Sequence, residues 1–319
     1  MYIKILLYLC RRNTFKPTGR WDITANCIIM KKLFLGVAFA LISFTLMAQQ
    51  PFVGTTILKT NMHYEENFDV MVENFKATVD KDTVMDAKTK GMAKAMAKAI
   101  VKNTLKQIEL QKYITSLPEG EYTTLNYWDG PKNRIAAFTP EIGRIMIWDG
   151  NEGTLIVAYP NLKTALKVTD PGFKTNQFRV SANYRDADPN AQVTEINGFR
   201  AVPNFGVVPK ATLPNDKSEV IVIDEIEYVK VPAPGLILEN YNILVQQNVT
   251  TDYYTQEQNL IAFNKATVAE ANYQLPADYK VVSTADALVK SLQKAIKANK
   301  LAFPYDVTQT PEVIWSIFK

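Results

Sequence analysis

The 319-residue chain holds two cysteines and one histidine. Cys10 and Cys27 both precede Met30, so the rest of the chain has no disulfide, thiolate nucleophile or cysteine metal site. His63 alone cannot build a histidine-rich metal set. No Gly-x-Ser-x-Gly elbow, Walker loop or Gly-x-Gly-x-x-Gly fingerprint occurs. No tract is low-complexity, and with 13 glycines and 16 prolines the chain is not collagen-like. The 47% hydrophobic and 21% charged content suits a folded protein with a large core.

The longest apolar run is Leu33–Leu46. It follows the basic Lys31 and Lys32 and precedes Ala48, the three-part form of a secretory signal peptide over residues 30–48. The run is too short to span a bilayer comfortably. Residues 1–29 show no useful periodicity and are expected to lie upstream of the true initiator, Met30. They carry Lys4, Arg11, Arg12, Lys16 and Arg20 against Asp22. With Lys31 and Lys32 they account for more than the whole net charge of +4, which leaves the chain from Gln49 near −2. A nucleic-acid reading of the pI of 8.8 therefore has no support in the mature chain. No cysteine follows the signal to take a lipid, so the expectation is a soluble protein of the periplasm or secreted medium, not membrane-spanning once the signal is cleaved.

Residues 49–319 read as a single domain. Thr56, Leu58, Thr60, Met62 and Tyr64 recur at period two within a strand over Phe52–Tyr64. Phe68–Val79 fits either a strand or the approach to a helix. Residues 86–117 read as one long helical insert, with Met92, Met96, Ile100 and Ile108 on one side backed by Ala93, Ala97, Val101 and Leu105. A strand meander is expected over Glu121–Val168: Tyr122–Trp128 and Asn133–Thr139 flank Asp129-Gly130, and Arg144–Trp148 and Thr154–Pro160 flank Asp149-Gly150-Asn151-Glu152-Gly153. Asp-Gly favours primed hairpin turns, and Trp-Asp-Gly occurs at both. Further strands are expected at Gln177–Tyr184, Val193–Ala201, Glu219–Val231, Leu236–Val249, Leu260–Asn264 and Val268–Leu275. Pro203, Pro209 and Pro214 suggest a long loop. A C-terminal helix covers 285–299, with Leu288, Val289, Leu292 and Ile296 on its stripe and Ser283 or Thr284 as cap. Thr310-Pro311-Glu312 reads as the start of a short last helix.

Several strands are apolar on both sides. Ile145 and Ile147 oppose Met146 and Trp148; Leu155 and Val157 oppose Ile156 and Ala158; Val220 and Val222 oppose Ile221 and Ile223. Antiparallel sheets usually wet one face. The expected fold is therefore α+β, a curved antiparallel sheet or half-barrel wrapped around amphipathic helices, with one face lining an apolar cleft.

The stretch Tyr127–Leu166 resembles a family of exported Gram-negative domains of unknown function. Its pattern is a Gly-x-Lys-x-Arg hairpin, a strand ending in Asp, a Gly-Thr turn and a strand closing on Tyr-Pro and Lys. Those positions are Gly130, Lys132, Arg134, Asp149, Gly153, Thr154, Tyr159, Pro160 and Lys163; Pro131, inside the hairpin, departs from the pattern. Ile196-Asn197-Gly198-Phe199-Arg200 and Leu275-Pro276-Ala277-Asp278-Tyr279 match later elements in order, and Ala201 stands where members often carry cysteine. The resemblance implies the half-barrel of periplasmic lipoprotein carriers, with a cleft for acyl chains, and it carries over no catalytic residue.

Met92, Met96, Ile100, Trp128, Phe138 and Trp148 are the candidate pocket residues. Lys94, Lys98 and Lys102 are the candidate contacts with an anionic surface or partner, within a series at 90, 94, 98, 102 and 106 that drifts about 40° per step around a helix. The bland alternatives are packing for the tryptophans and a solvated face for the lysines. Asp129 with Asp149, or Glu225 with Glu227, could be drawn as an acid–base pair, but Asp-Gly also forms turns. The leading expectation is a non-enzymatic protein, without metal or cofactor, that binds a lipid or acylated protein. The alternative is an envelope interaction or structural protein docking a partner through the lysine helix, and a carboxylate hydrolase ranks third.

Overall fold

The computed structural model describes residues 52–83, 85–170, 192–212, 220–223, 226–239, 241 and 243–302. The 30–48 signal, the Gln177–Tyr184 strand and the 310–312 helix start lie outside them. The described strands are β1 Val53–Tyr64, β2 Gly120–Asp129, β3 Arg134–Thr139, β4 Arg144–Asp149, β5 Thr154–Tyr159, β6 Thr164–Thr169, β7 Thr194–Ile196, β8 Phe199–Pro209, β9 Val220–Ile223, β10 Ile226–Leu238, β11 Leu244–Thr250, β12 Tyr254–Lys265 and β13 Lys280–Val282. The helices are α1 Phe68–Lys81, α2 Ala87–Ala95, α3 Ala97–Gln111 and α4 Ala285–Lys297. Among them, no helix is long and apolar enough to cross a membrane.

The contacts divide into two units. One comprises His63–Pro118 with Thr250–Tyr254. The other comprises the described residues of Ile42–Met62, Glu119–Val249 and Thr255–Lys319.

The second unit carries one open mixed sheet in the order β13-β6-β5-β4-β3-β2-β1-β12-β11-β10-β8-β7, with β9 paired to β10. β13 runs parallel to β6; β1–β2 and the steps from β2 to β6 are antiparallel. Gly54 lies against Asn264 and Lys265, and Thr60 accepts a hydrogen bond from Gln258. Moving forward along β1 thus moves backward along β12, so this pair is antiparallel too.

The segment β3–β6 has a ten-residue period: strands begin at Arg134, Arg144, Thr154 and Thr164. Each is six residues long and is preceded by a four-residue turn whose last residue is left-handed: Asn133 (φ 57), Gly143 (φ 53), Gly153 (φ 69) and Lys163 (φ 43). The primed two-residue turn expected at Asp129-Gly130 is therefore replaced by a longer one, while the connection expected over Asp149–Gly153 has the expected length. The aspartates act as caps: Asp149 Oδ1 accepts from the amides of Asn151 and Glu152 at 2.9 Å, and the Asp129 side chain accepts from Lys132 N. Gly150 is needed for space, because a Cβ there would sit 2.4 Å from both the Asn133 amide and the Trp148 ring. Turns on this edge interlock, Gly150 N donating to Asn133 O at 2.9 Å and Asn151 Nδ2 to Lys132 O at 3.0 Å. The two Trp-Asp-Gly copies mark alternate turns of this staircase.

Both sides of the meander are dry, as the alternation predicts. On one side Leu125, Tyr127, Ala136, Phe138, Ile145, Ile147, Ile156, Ala158 and Ala165 form a cluster with Tyr273 and Tyr279, and Val268 and Leu275 pack against it. On the other, Trp128, Ile135, Met146, Trp148, Leu155, Val157 and Leu166 are buried. Burying each large side chain contributes roughly 1.5–3 kcal/mol. The exception is β9, where Val220 and Val222 are exposed: among the described residues this short strand pairs with β10 alone.

Several sequence expectations need correction here. The single strands expected at Val193–Ala201, Glu219–Val231 and Leu236–Val249 are each divided, between β7 and β8, β9 and β10, and β10 and β11, because the chain turns back to pair with itself at each place. Val268–Leu275 contains a 3₁₀ turn at Glu270–Tyr273 instead of a strand, because it lies across the sheet face and takes no place in the ladder. Pro203 and Pro209 belong to β8. Pro203 pairs with Leu236 beside the register shift between Pro232 and Leu236, and Pro209 ends the strand, positions where a missing amide is tolerated. The 285–299 helix closes at Lys297, capped by the Thr284 side chain on Ala287 N, with Leu288, Leu292 and Ala295 buried.

In the helical unit, Phe68–Val79 is helix: Asn67 caps α1 by accepting from the amides of Asp69 and Val70. The expected single helix over 86–117 is two helices and a turn. At Met96 the backbone moves to φ −93, ψ 3, and its N–H is shared between Met92 O and Lys94 O. α3 ends where Gln111 O collects the amides of Ile114, Thr115 and Ser116. Tyr64 OH then donates to Leu117 O at 2.6 Å. Met71, Val72, Phe75 and Val79 of α1 bury against Ala93, Ala97 and Val101.

Candidate functional site

The two apolar stripes read along residues 86–117 differ in fate. The alanine–valine stripe packs on α1, where small side chains let the helices approach. The methionine stripe does not: Met92 is 56% and Met96 48% exposed. Ile100 is half-buried and packs against the α1 cluster.

The lysine series divides along the same line. Lys90 Nζ donates to Asp80 O at 2.7 Å, and Lys94 Nζ pairs with Asp80 Oδ1 at 2.8 Å. One α1 carboxylate and its own carbonyl thus hold the first two lysines. The 40° drift per step then carries the later lysines off this interface. Lys98, Lys102 and Lys106 are exposed, and no described residue forms an ion pair with them. Lys88 is likewise exposed and has no ion pair among the described residues. The only acid on α3, Glu109, is paired with Lys112. Like charges at i, i+4 repel mildly, and nothing on this helix offsets the repulsion. Of the three lysines expected to make anionic contacts, Lys98 and Lys102 are exposed, as is Lys106, while Lys94 pairs with Asp80.

The other three pocket candidates belong to the sheet unit and divide between its two sides. Phe138 is fully buried in the tyrosine-covered cluster. Trp128 and Trp148 lie on the opposite side, both aligned with Ile135, which stands between them in register. Trp128 Nε1 donates to Thr56 Oγ1 at 2.9 Å, and its ring meets Phe52 edge-on, with Phe52 stacked on Phe263. A depression of about 530 Å³ beside the start of α4 is lined by Lys167, Thr169, Val281, Val282, Ser283 and Ala287 and opens broadly to solvent. None of the pocket candidates lines it.

The carboxylates drawn as acid–base pairs have other partners. Asp149 caps its turn. Asp129 Oδ2 takes Arg134 at 2.8 Å. Arg134 also forks onto both oxygens of Glu270, which takes Lys132 at 2.7 Å as well. The guanidinium lies 4.5 Å from the Tyr273 ring centre. Hydrogen bonds from Arg134 and then Lys132 hold the Glu270 carboxyl down at about 2, while burial raises the Tyr273 phenol. Glu227 is exposed, Glu225 lies outside the described residues, and His63 is exposed on β1. No group of three or more His, Cys, Asp or Glu side chains among the described residues is placed to hold a metal ion.

Sequence reasoning missed this ion cluster, because Glu270 lies far along the chain from the hairpin it clamps. No protein-family model matches the chain, and no curated protein matches it.

Proposed function

We propose that the protein is an exported, non-enzymatic docking protein that binds an anionic surface through the exposed face of α2–α3. The observation that carries this reading is the run Lys98, Lys102 and Lys106, exposed and without an ion pair among the described residues, beside Met92 and Met96, exposed on helices whose other side is well packed. The Met30–Ala48 pattern supports export to the periplasm or medium of a Gram-negative cell.

The test is retention of the full chain on poly-L-glutamate beads and on phosphatidylglycerol vesicles, from low to high salt. Retention on at least one should fall with salt and with Lys98→Glu/Lys102→Glu/Lys106→Glu. Retention on neither, or retention indifferent to the triple change, refutes the reading.

A second reading keeps the half-barrel: the sheet curves around amphipathic helices and holds a lipid or acylated protein, as in the periplasmic carriers that the Tyr127–Leu166 pattern resembles. The observation in its favour is the two-sided dryness of β3–β5, with Trp128 and Trp148 on the side away from Tyr273. Solvent extraction and mass spectrometry of the purified protein decide it, and absence of any stoichiometric lipid rules it out.

A further inference from the structure

We infer that the surface which α2–α3 docks on is an anionic phospholipid bilayer, a deepening that rests on the docking reading above. Three features favour a membrane over an acidic protein. First, the cations lie along an exposed helix face. Lys98 to Lys106, all within α3, spans about 12 Å at the helical rise. That extended line suits a planar sheet of headgroups. Second, the apolar groups beside the cations are two long, flexible methionines, 56% and 48% exposed, and not a pocket-forming cluster. Exposed Ala95, Ala99 and Gly91 add only short side chains to this helix surface. An interfacial helix has this composition: Lys on the polar flank, long apolar side chains dipping below the headgroups. Third, α1 buries Met71, Val72, Phe75 and Val79 against the opposite side, so the helices present this face without unfolding from their own core.

The experiment is co-sedimentation of the full chain with phosphatidylcholine vesicles and with vesicles containing phosphatidylglycerol, in parallel with poly-L-glutamate beads. Every variant carries the same residues 1–51, so differences between variants report on the helix face alone. Each lysine near an anionic surface contributes about fivefold in partitioning. Lys98→Gln/Lys102→Gln/Lys106→Gln should therefore weaken binding to the phosphatidylglycerol vesicles about 100-fold. Met92→Ser/Met96→Ser should weaken it about tenfold while leaving the salt dependence intact. The charge-matched control Lys290→Gln/Lys297→Gln/Lys300→Gln, on and beyond α4, should bind as the parent does.

Four outcomes overturn the inference. These are equal binding to both vesicle types, a control that loses as much as the stripe variant, no loss in the methionine variant, and retention on poly-L-glutamate with none on either vesicle. The last leaves the docking reading standing with an acidic protein as partner. Retention on neither matrix removes both.

Discussion

Thr56 gives a sharp test of whether Trp128 is a packing residue or the mobile rim of a pocket. Thr56 is 1% exposed on β1, directly opposite Asn126 of β2. Its Oγ1 accepts from Trp128 Nε1 at 2.9 Å and from Asn126 Nδ2 at 3.2 Å. Thr56→Val preserves shape and adds apolar surface, yet it removes the acceptor for two buried donors. Each stranded donor costs about 1–3 kcal/mol, and the extra methyl returns about 1 kcal/mol, so the net loss should be about 1–5 kcal/mol, centred on about 3 kcal/mol. Thr56→Ser keeps the acceptor and loses one buried methyl, at about 1 kcal/mol. The more hydrophobic substitution should therefore be the more damaging one. Urea unfolding followed by circular dichroism measures both, with an unchanged slope required for comparison. In a Trp128→Phe background, which removes one of the two donors, the Val penalty should shrink by about 1–3 kcal/mol. If the Val variant proves as stable as the Ser variant, the hydrogen bonds do not hold Trp128 and the packing argument fails.

Two further expectations concern the turns and the ion cluster. The Glu270 carboxyl is held near 2 by Arg134 and Lys132, well below its unfolded value of about 4.3. Its ionised form therefore adds stability that is complete above about pH 5 and is lost as pH falls toward 2. Glu270→Gln should flatten the urea midpoint over that window, and parallel loss in parent and variant would count against the pairing. Gly150→Ala forces a Cβ to within 2.4 Å of Asn133 and Trp148 and should destabilise by about 1–3 kcal/mol. Gly91→Ala in α2 meets open space and should stabilise by up to about 1 kcal/mol; shifts of the same sign at both sites would refute the turn geometry.

Much of the fold was legible where a period was local. Alternation gave β1, with Thr56, Leu58, Thr60, Met62 and Tyr64 all buried, and it gave the two dry faces of β4 and β5. Caps gave α4, because Thr284 sits one residue before its first turn. What failed depended on distant partners. Asp-Gly signalled a turn at both places, but its length was set by how neighbouring turns stack, Gly150 on Asn133 and Asn151 on Lys132. The residues 86–117 carried two apolar stripes of similar quality, and only the approach of α1 selected Ala93, Ala97 and Val101 over Met92 and Met96. Val268–Leu275 has strand composition, yet its apolar side chains cap a sheet face. The lysine series was visible at once, but the role of Asp80 in dividing it was not, since Asp80 lies on a different helix.

The positions that suggested a family turn out to be stitching points. Lys132 and Arg134 clamp Glu270, Lys163 pairs with Asp278, and Arg200 pairs with Glu239. Each links a strand end or hairpin turn to a segment many residues later, and Lys163 also accepts Lys280 N at 2.8 Å while holding its left-handed φ of 43°. Exposed pairs of this kind add little stability singly, but the chosen partners fix where the chain returns to the sheet. Such residues would recur in any chain that closes this meander the same way, whatever it binds. The surface proposed to dock on lipid lies wholly outside them, in Met92, Met96, Lys98, Lys102 and Lys106. A substitution at Glu270 should therefore change the stability of the sheet unit without changing vesicle binding, and one at Lys102 should do the reverse. The two properties are carried by different residues in separate contact units.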